Sequence, residues 1–149
     1  MAKITYKSNC PELRAELKRD DVKKVKVSSS QDCADFFRQL WEGIDIYESF
    51  FAVYLNQGNN TIGWYKVSQG GITGTVADPR LIVKKALDIL ATGIVICHNH
   101  PSGTLKPSTA DEQITKKLKE GCSYFDIRLL DHIILTEDGY YSFMDEGIL

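Results

Sequence analysis

Two of the protein's three histidines, His98 and His100, stand one residue apart, and a carboxylate, Asp111, follows eleven residues after the second. Side chains at i and i+2 of an extended chain point the same way, so the two imidazoles can be aimed at one point. Two histidines and one carboxylate form the protein ligand set of a catalytic zinc site, with the fourth position left open. Zinc so held lowers the pKa of water to about 7 and makes hydroxide near neutral pH. A general base must still take the proton and pass it to a leaving group. The same ligand set also suits Fe(II).

Three local features position these groups. Gly93-Ile94-Val95-Ile96-Cys97 is short, apolar and β-branched, which suits a central strand buried on both faces. Pro101 breaks the strand, and Ser102-Gly103 turns the chain. A helix is then expected from about Thr109 to Glu120, ended by Gly121. Ser108 and Asp111 have the Ser-x-x-acid spacing of a capping box, with Ser108 at the N-cap. A capped first turn would hold Asp111 toward the histidines.

The remaining pattern supplies a frame. A strand is expected over Val22–Val27, then a helix over about 32–42 capped by Ser30 or Asp32. Glu48–Leu55 reads as a strand, Gln57-Gly58-Asn59-Asn60 as a turn, and Thr61–Val67 as the returning arm of a hairpin. Thr73–Val76 reads as extended. Asp78 caps a helix with Pro79 in its first turn, which runs to about Ala91 and is stopped by Gly93. Asp126–Leu135 and Tyr140–Phe143 read as strands around a Glu137-Asp138-Gly139 turn. The expected class is α/β (α+β): a mixed sheet of about six strands flanked by two or three helices. Residues 1–21 read as an N-terminal extension with a short helix near Glu12–Lys18, and 22–149 as one domain.

Composition bounds the function. The chain has 149 residues, 43% hydrophobic and 26% charged, which fits one globular domain that needs no disulfide staples. Its four cysteines, Cys10, Cys33, Cys97 and Cys122, form no C-x-x-C pair. They read as free thiols in a reducing compartment. Without an apolar leader or a membrane-length apolar run, the expected location is the cytoplasm. A net charge of −2 argues against a dedicated nucleic-acid binder. The basic cluster Lys18, Arg19, Lys23, Lys24 and Lys26 is interrupted by Asp20 and Asp21, and reads as a solvated face.

The motif carries a resemblance. His98-x-His100, seven residues, Ser108, two residues, Asp111 resembles the JAMM (MPN+) metallopeptidase pattern, which also has a glutamate on an early strand. Glu48 sits in that place. The bacterial RadC branch is more similar still. It has His-Asn-His-Pro-Ser-Gly, Pro-Ser-x-x-Asp, Leu-Leu-Asp-His-Ile-Ile and Tyr-Ser-Phe, here at 98–103, 107–111, 129–134 and 141–143. Val76-Ala77-Asp78-Pro79-Arg80 resembles the family's segment before its long helix. The resemblance covers roughly Val22 to Leu149. It implies a JAB/MPN, cytidine-deaminase-like fold. His98, His100 and Asp111 would bind Zn2+, and Glu48 would be the general acid/base on water attacking an amide bond. Ser108 would help stabilise the oxyanion. The implied activity is that of a metalloprotease or isopeptidase-like hydrolase on a protein or peptide substrate. RadC proteins commonly carry an N-terminal helix-hairpin-helix DNA-binding region, which is expected to be absent here. The alternative is a non-catalytic metal-binding scaffold or a DNA-repair-associated binding module.

Other residues read more plainly. His132, in an apolar strand, is expected to be a hydrogen-bonded core histidine, and Cys97 to be buried and structural. Glu42 and Asp45 are the other acids near Glu48, in a helix end and a loop. The letters His-Asn-His do not make an HNH nuclease, whose residues are dispersed over a ββα fold.

Overall fold

The computed structural model describes residues 24–70 and 76–149. Along the chain run α1 (Ser30–Arg38), β1 (Ser49–Leu55), β2 (Thr61–Gln69), α2 (Pro79–Asp88), β3 (Gly93–Asn99), α3 (Thr109–Ser123), β4 (Arg128–Leu135) and β5 (Tyr140–Ser142). The strands make one five-stranded sheet in the order β2-β1-β3-β4-β5. Only β3 and β4 are parallel, and the intervening crossover contains α3.

Alternate residues of the central strands feed two separate cores. Phe50, Ala52 and Tyr54 of β1 and Ile94 and Ile96 of β3 pack with Ile82, Ala86, Leu118 and Cys122 of α2 and α3. Phe51, Val53 and Leu55 of β1 and Val95 and Cys97 of β3 pack with Phe36 and Phe37 of α1. Every residue of β1 and β3 is buried, which is why both sequences are nearly unbroken apolar runs. Each large side chain so buried contributes roughly 1.5–3 kcal/mol. A polar residue in β3 therefore requires partners.

The expected class is found, with five strands rather than about six. Among the described residues of the expected first strand, Lys26 makes only an isolated bridge to Asn60, and Val22 and Lys23 lie outside them. The extended reading at Thr73–Val76 falls mostly on undescribed residues, and Val76 belongs to no strand. The N-terminal helix, Cys10 and most of the basic cluster also lie outside. Helix ends differ as well. Ser29, not Ser30 or Asp32, caps α1. Leu90, with φ of 57°, turns the chain after α2, so Gly93 is free to open β3. Gly121 lies inside α3, which continues to Ser123.

Candidate metal centre

The site lies at the C-terminal end of β3. His98 is the last residue of that strand to stack in a core, its ring parallel to Phe50 at 5.7 Å. His100 follows the strand. A turn from the His100 carbonyl to the Gly103 amide, 3.0 Å, is closed by Gly103 at φ of 84°, a conformation that favours glycine. The turn returns the Thr104 carbonyl to Nδ1 of His100 at 2.6 Å. A carbonyl only accepts, so Nδ1 donates and the neutral ring keeps its lone pair on Nε2. That nitrogen lies 3.0 Å from Nε2 of His98.

Asp111 reaches the same point from α3. Its amide donates to the Ser108 hydroxyl at 3.1 Å, and its Oδ2 accepts from the Ser108 amide at 2.7 Å. This capping box fixes the carboxylate. Oδ1 then lies 3.2 Å from Nε2 of His98, and Oδ2 lies 3.6 Å from Nε2 of His100. Burial alone would raise the Asp111 pKa, but hydrogen bonds with His100 and His98 outweigh it and hold the acid well below the usual carboxylate range. The His100 imidazole is raised, first by its hydrogen bond with Asp111 and against the effect of burial.

Glu48 comes from the residue before β1. Phe50 pairs with His98, so the antiparallel register carried outward sets Glu48 opposite His100. One ligand atom each from Glu48, His98 and His100 lie within 4.8 Å of one another. No hydrogen bond ties up the Glu48 carboxylate among the described residues, whereas Asp111 is held on both sides. Glu42 and Asp45 are exposed and stand outside the group.

Between the histidines, Asn99 points to the opposite face and is fully buried. Its Oδ1 accepts from the Ser49 amide at 2.7 Å, and its Nδ2 donates to the carbonyls of Ile44 at 2.6 Å and Tyr47 at 2.7 Å. Tyr47 and Ser49 flank Glu48, so Asn99 clamps the backbone on both sides of that acid to the histidine strand. The sequence reading missed this residue. The available signal was an amide in a strand buried on both faces, which must find partners.

His132 is a hydrogen-bonded core histidine, bonded to Nδ1 of His98 at 2.8 Å and to the Thr115 hydroxyl at 2.6 Å. Burial, then the neighbouring His98, pushes its pKa well below the ordinary value. Thr115 was also missed, although it lies one helical turn after Asp111 on the same face. Cys97 is fully buried on the α1 side. Burial raises its thiol well above the ordinary value and pushes Cys33 up to about 12, so both are inert. Ser108 is exposed, and the hydrogen of its hydroxyl is not used by the cap.

The residues fit a divalent cation. Two imidazole nitrogens and a carboxylate, the donor types of a zinc or Fe(II) site, crowd one point. The His100 lone pair faces that point and needs a proton or a metal there.

The RadC-like JAB domain model matches residues 27–148. The chain belongs to the RadC-like JAB family. A UPF0758 protein of Flavobacterium johnsoniae is 44% identical over 135 residues, covering 91% of this chain and 58% of the relative. A UPF0758 protein of Aquifex aeolicus is 35% identical over 126 residues, covering 85% of the chain and 54% of the relative. The UPF0758 protein YfjY of Escherichia coli is 38% identical over 125 residues, covering 84% of the chain and 78% of that protein. The chain thus spans little more than half the length of the first two. Within this RadC-like JAB domain, the described residues bring together a group able to hold a metal ion, and no helix among them is long and apolar enough to cross a membrane.

Proposed function

We propose that the protein is a zinc-dependent hydrolase of amide or isopeptide bonds. The observation that carries this reading is the convergence of His98, His100 and Asp111 on one point with Glu48 beside them. His98, His100 and Asp111 hold the ion. Zinc, when bound, supplies Lewis acidity toward a carbonyl and lowers the pKa of water to about 7. Glu48, whose carboxylate has no hydrogen bond among the described residues, takes the proton from the attacking water and delivers it to the leaving nitrogen. Ser108 donates its unused hydroxyl hydrogen to the developing oxyanion. The rigid hold on Asp111 suits a ligand, and the unencumbered carboxylate of Glu48 suits a proton carrier. That division supports Asp111 over Glu48 as the third protein ligand.

The test is Glu48→Gln, compared with wild type for metal content and for cleavage of peptide and isopeptide conjugates. The expected result is unchanged zinc with turnover lost. Undiminished turnover removes Glu48 from the mechanism, and lost zinc makes it a ligand.

A further inference from the structure

His98 binds metal only if its proton sits on Nδ1 and its lone pair on Nε2. The metal-facing side does not secure this: Oδ1 of Asp111 at 3.2 Å and the His100 Nε2 lone pair at 3.0 Å both draw a proton to Nε2 until a metal takes its place. The other side does. The Thr115 hydroxyl lies 2.6 Å from the Asp111 backbone carbonyl, one turn back in α3. A carbonyl only accepts, so the single hydroxyl hydrogen goes there. The same oxygen lies 2.6 Å from Nδ1 of His132. With its hydrogen spent, the hydroxyl accepts, and His132 must carry its proton on Nδ1. His132 is fully buried, and among the described residues its ring bonds only to Thr115 and His98, neither of them anionic, so it is neutral. Its Nε2 is therefore an acceptor, 2.8 Å from Nδ1 of His98. His98 donates there from Nδ1, which leaves Nε2 as the nitrogen that gives its lone pair to a metal. Stacking of His132 on Phe143 at 4.5 Å and of His98 on Phe50 at 5.7 Å holds both ring planes in the chain.

We propose that Thr115 and His132 are positioning residues that set the tautomer of His98. A one-way chain of hydrogen bonds runs from His98 through His132 and Thr115 to the α3 carbonyl of Asp111. The inference rests on the metal reading of the site. It makes the ligand geometry of β3 depend on a threonine that touches no metal, and it ties both protein-held ends of the site, His98 and Asp111, to one turn of α3.

The test is the near-isosteric Thr115→Val, with Thr115→Ser as the conservative control. Long-range 1H–15N correlation spectra of metal-free protein at pH 8 report which nitrogen of each histidine is protonated. Wild type is expected to show Nδ1–H at both His98 and His132. In Thr115→Val the His132 proton loses its acceptor, moves to Nε2, and forces the His98 proton onto its own Nε2. Zinc affinity, measured by chelator competition, should fall by about 10–100-fold, the usual cost of removing an outer-shell partner. Thr115→Ser should restore both spectrum and affinity. A wild-type His98 that lacks a proton on Nδ1 would overturn the inference, even if Thr115→Val failed to fold. So would a Thr115→Val protein that lost thermal stability but kept both tautomers. Failure of wild type to bind zinc would instead sink the metal reading, since the tautomers are read without metal.

Discussion

Two helices of this domain begin the same way and do different things. Both α1 and α3 open with a Ser-x-x-Asp capping box: Ser29 with Asp32, and Ser108 with Asp111. In α1, Oδ2 of Asp32 accepts from the amides of Ser28 and Ser29 at 2.8 and 3.1 Å, and the residue is half-buried. In α3 the same cap is made, but Oδ1 of Asp111 is left over and lies 3.2 Å from His98. The local signal is identical. What differs is delivery, since the turn after His100 brings the start of α3 to the end of β3. A cap is a rigid mount, and whether it becomes a site depends on what stands opposite.

The comparison can be broken most severely at Asp111. Asp111→Ala should lose both cap and ligand, so the protein should not retain zinc through dialysis. Elemental analysis reads the result directly. Full zinc occupancy in that variant would reduce Asp111 to the role of Asp32.

Asn99→Ala comes next. It would strand the Ser49 amide and the Ile44 and Tyr47 carbonyls, at a cost on the order of 3 kcal/mol, measured by denaturant unfolding. Zinc should remain, because the histidine and Asp111 donors are untouched, while Glu48 loses its clamp. A neutral effect on stability would mean that Asn99 does not hold that segment.

Acidification gives a smaller, graded effect. The metal needs the His100 lone pair, and the hydrogen bond with Asp111 raises the His100 pKa above its ordinary 6.5. Protons therefore begin to compete above pH 6.5. Below the raised pKa, zinc affinity should fall about tenfold per pH unit from this ring alone. Affinity that is flat between pH 7.5 and 5.5 would contradict His100 as a ligand.

The smallest effect is expected at the other cap. Asp32→Ala should cost about 1 kcal/mol of stability and leave zinc unchanged. A change in metal content there would show that the two caps are not as different as their surroundings imply.

Much of this was legible in the residues. The apolar run of β3, the i, i+2 histidines and the spacing of Ser108 and Asp111 are local patterns, and local patterns survive folding. The hairpin of β1 and β2 was readable for the same reason. Asn99 and Thr115 were not, because their roles depend on what another segment presents to them. An amide between two histidines says nothing about Tyr47 and Ser49 until β1 pairs with β3. A threonine in α3 says nothing about His132 until β4 lies beneath it. Helix ends were read poorly where a non-glycine residue does the turning, as Leu90 does at φ of 57°.

The account stands on a metal at the end of β3. Its most direct test is a zinc titration of the metal-free wild-type protein by calorimetry, beside His98→Ala. The account predicts about one zinc per chain for wild type and none at the site for the variant. Absence of binding by the wild-type protein, or equal binding by both, would contradict it.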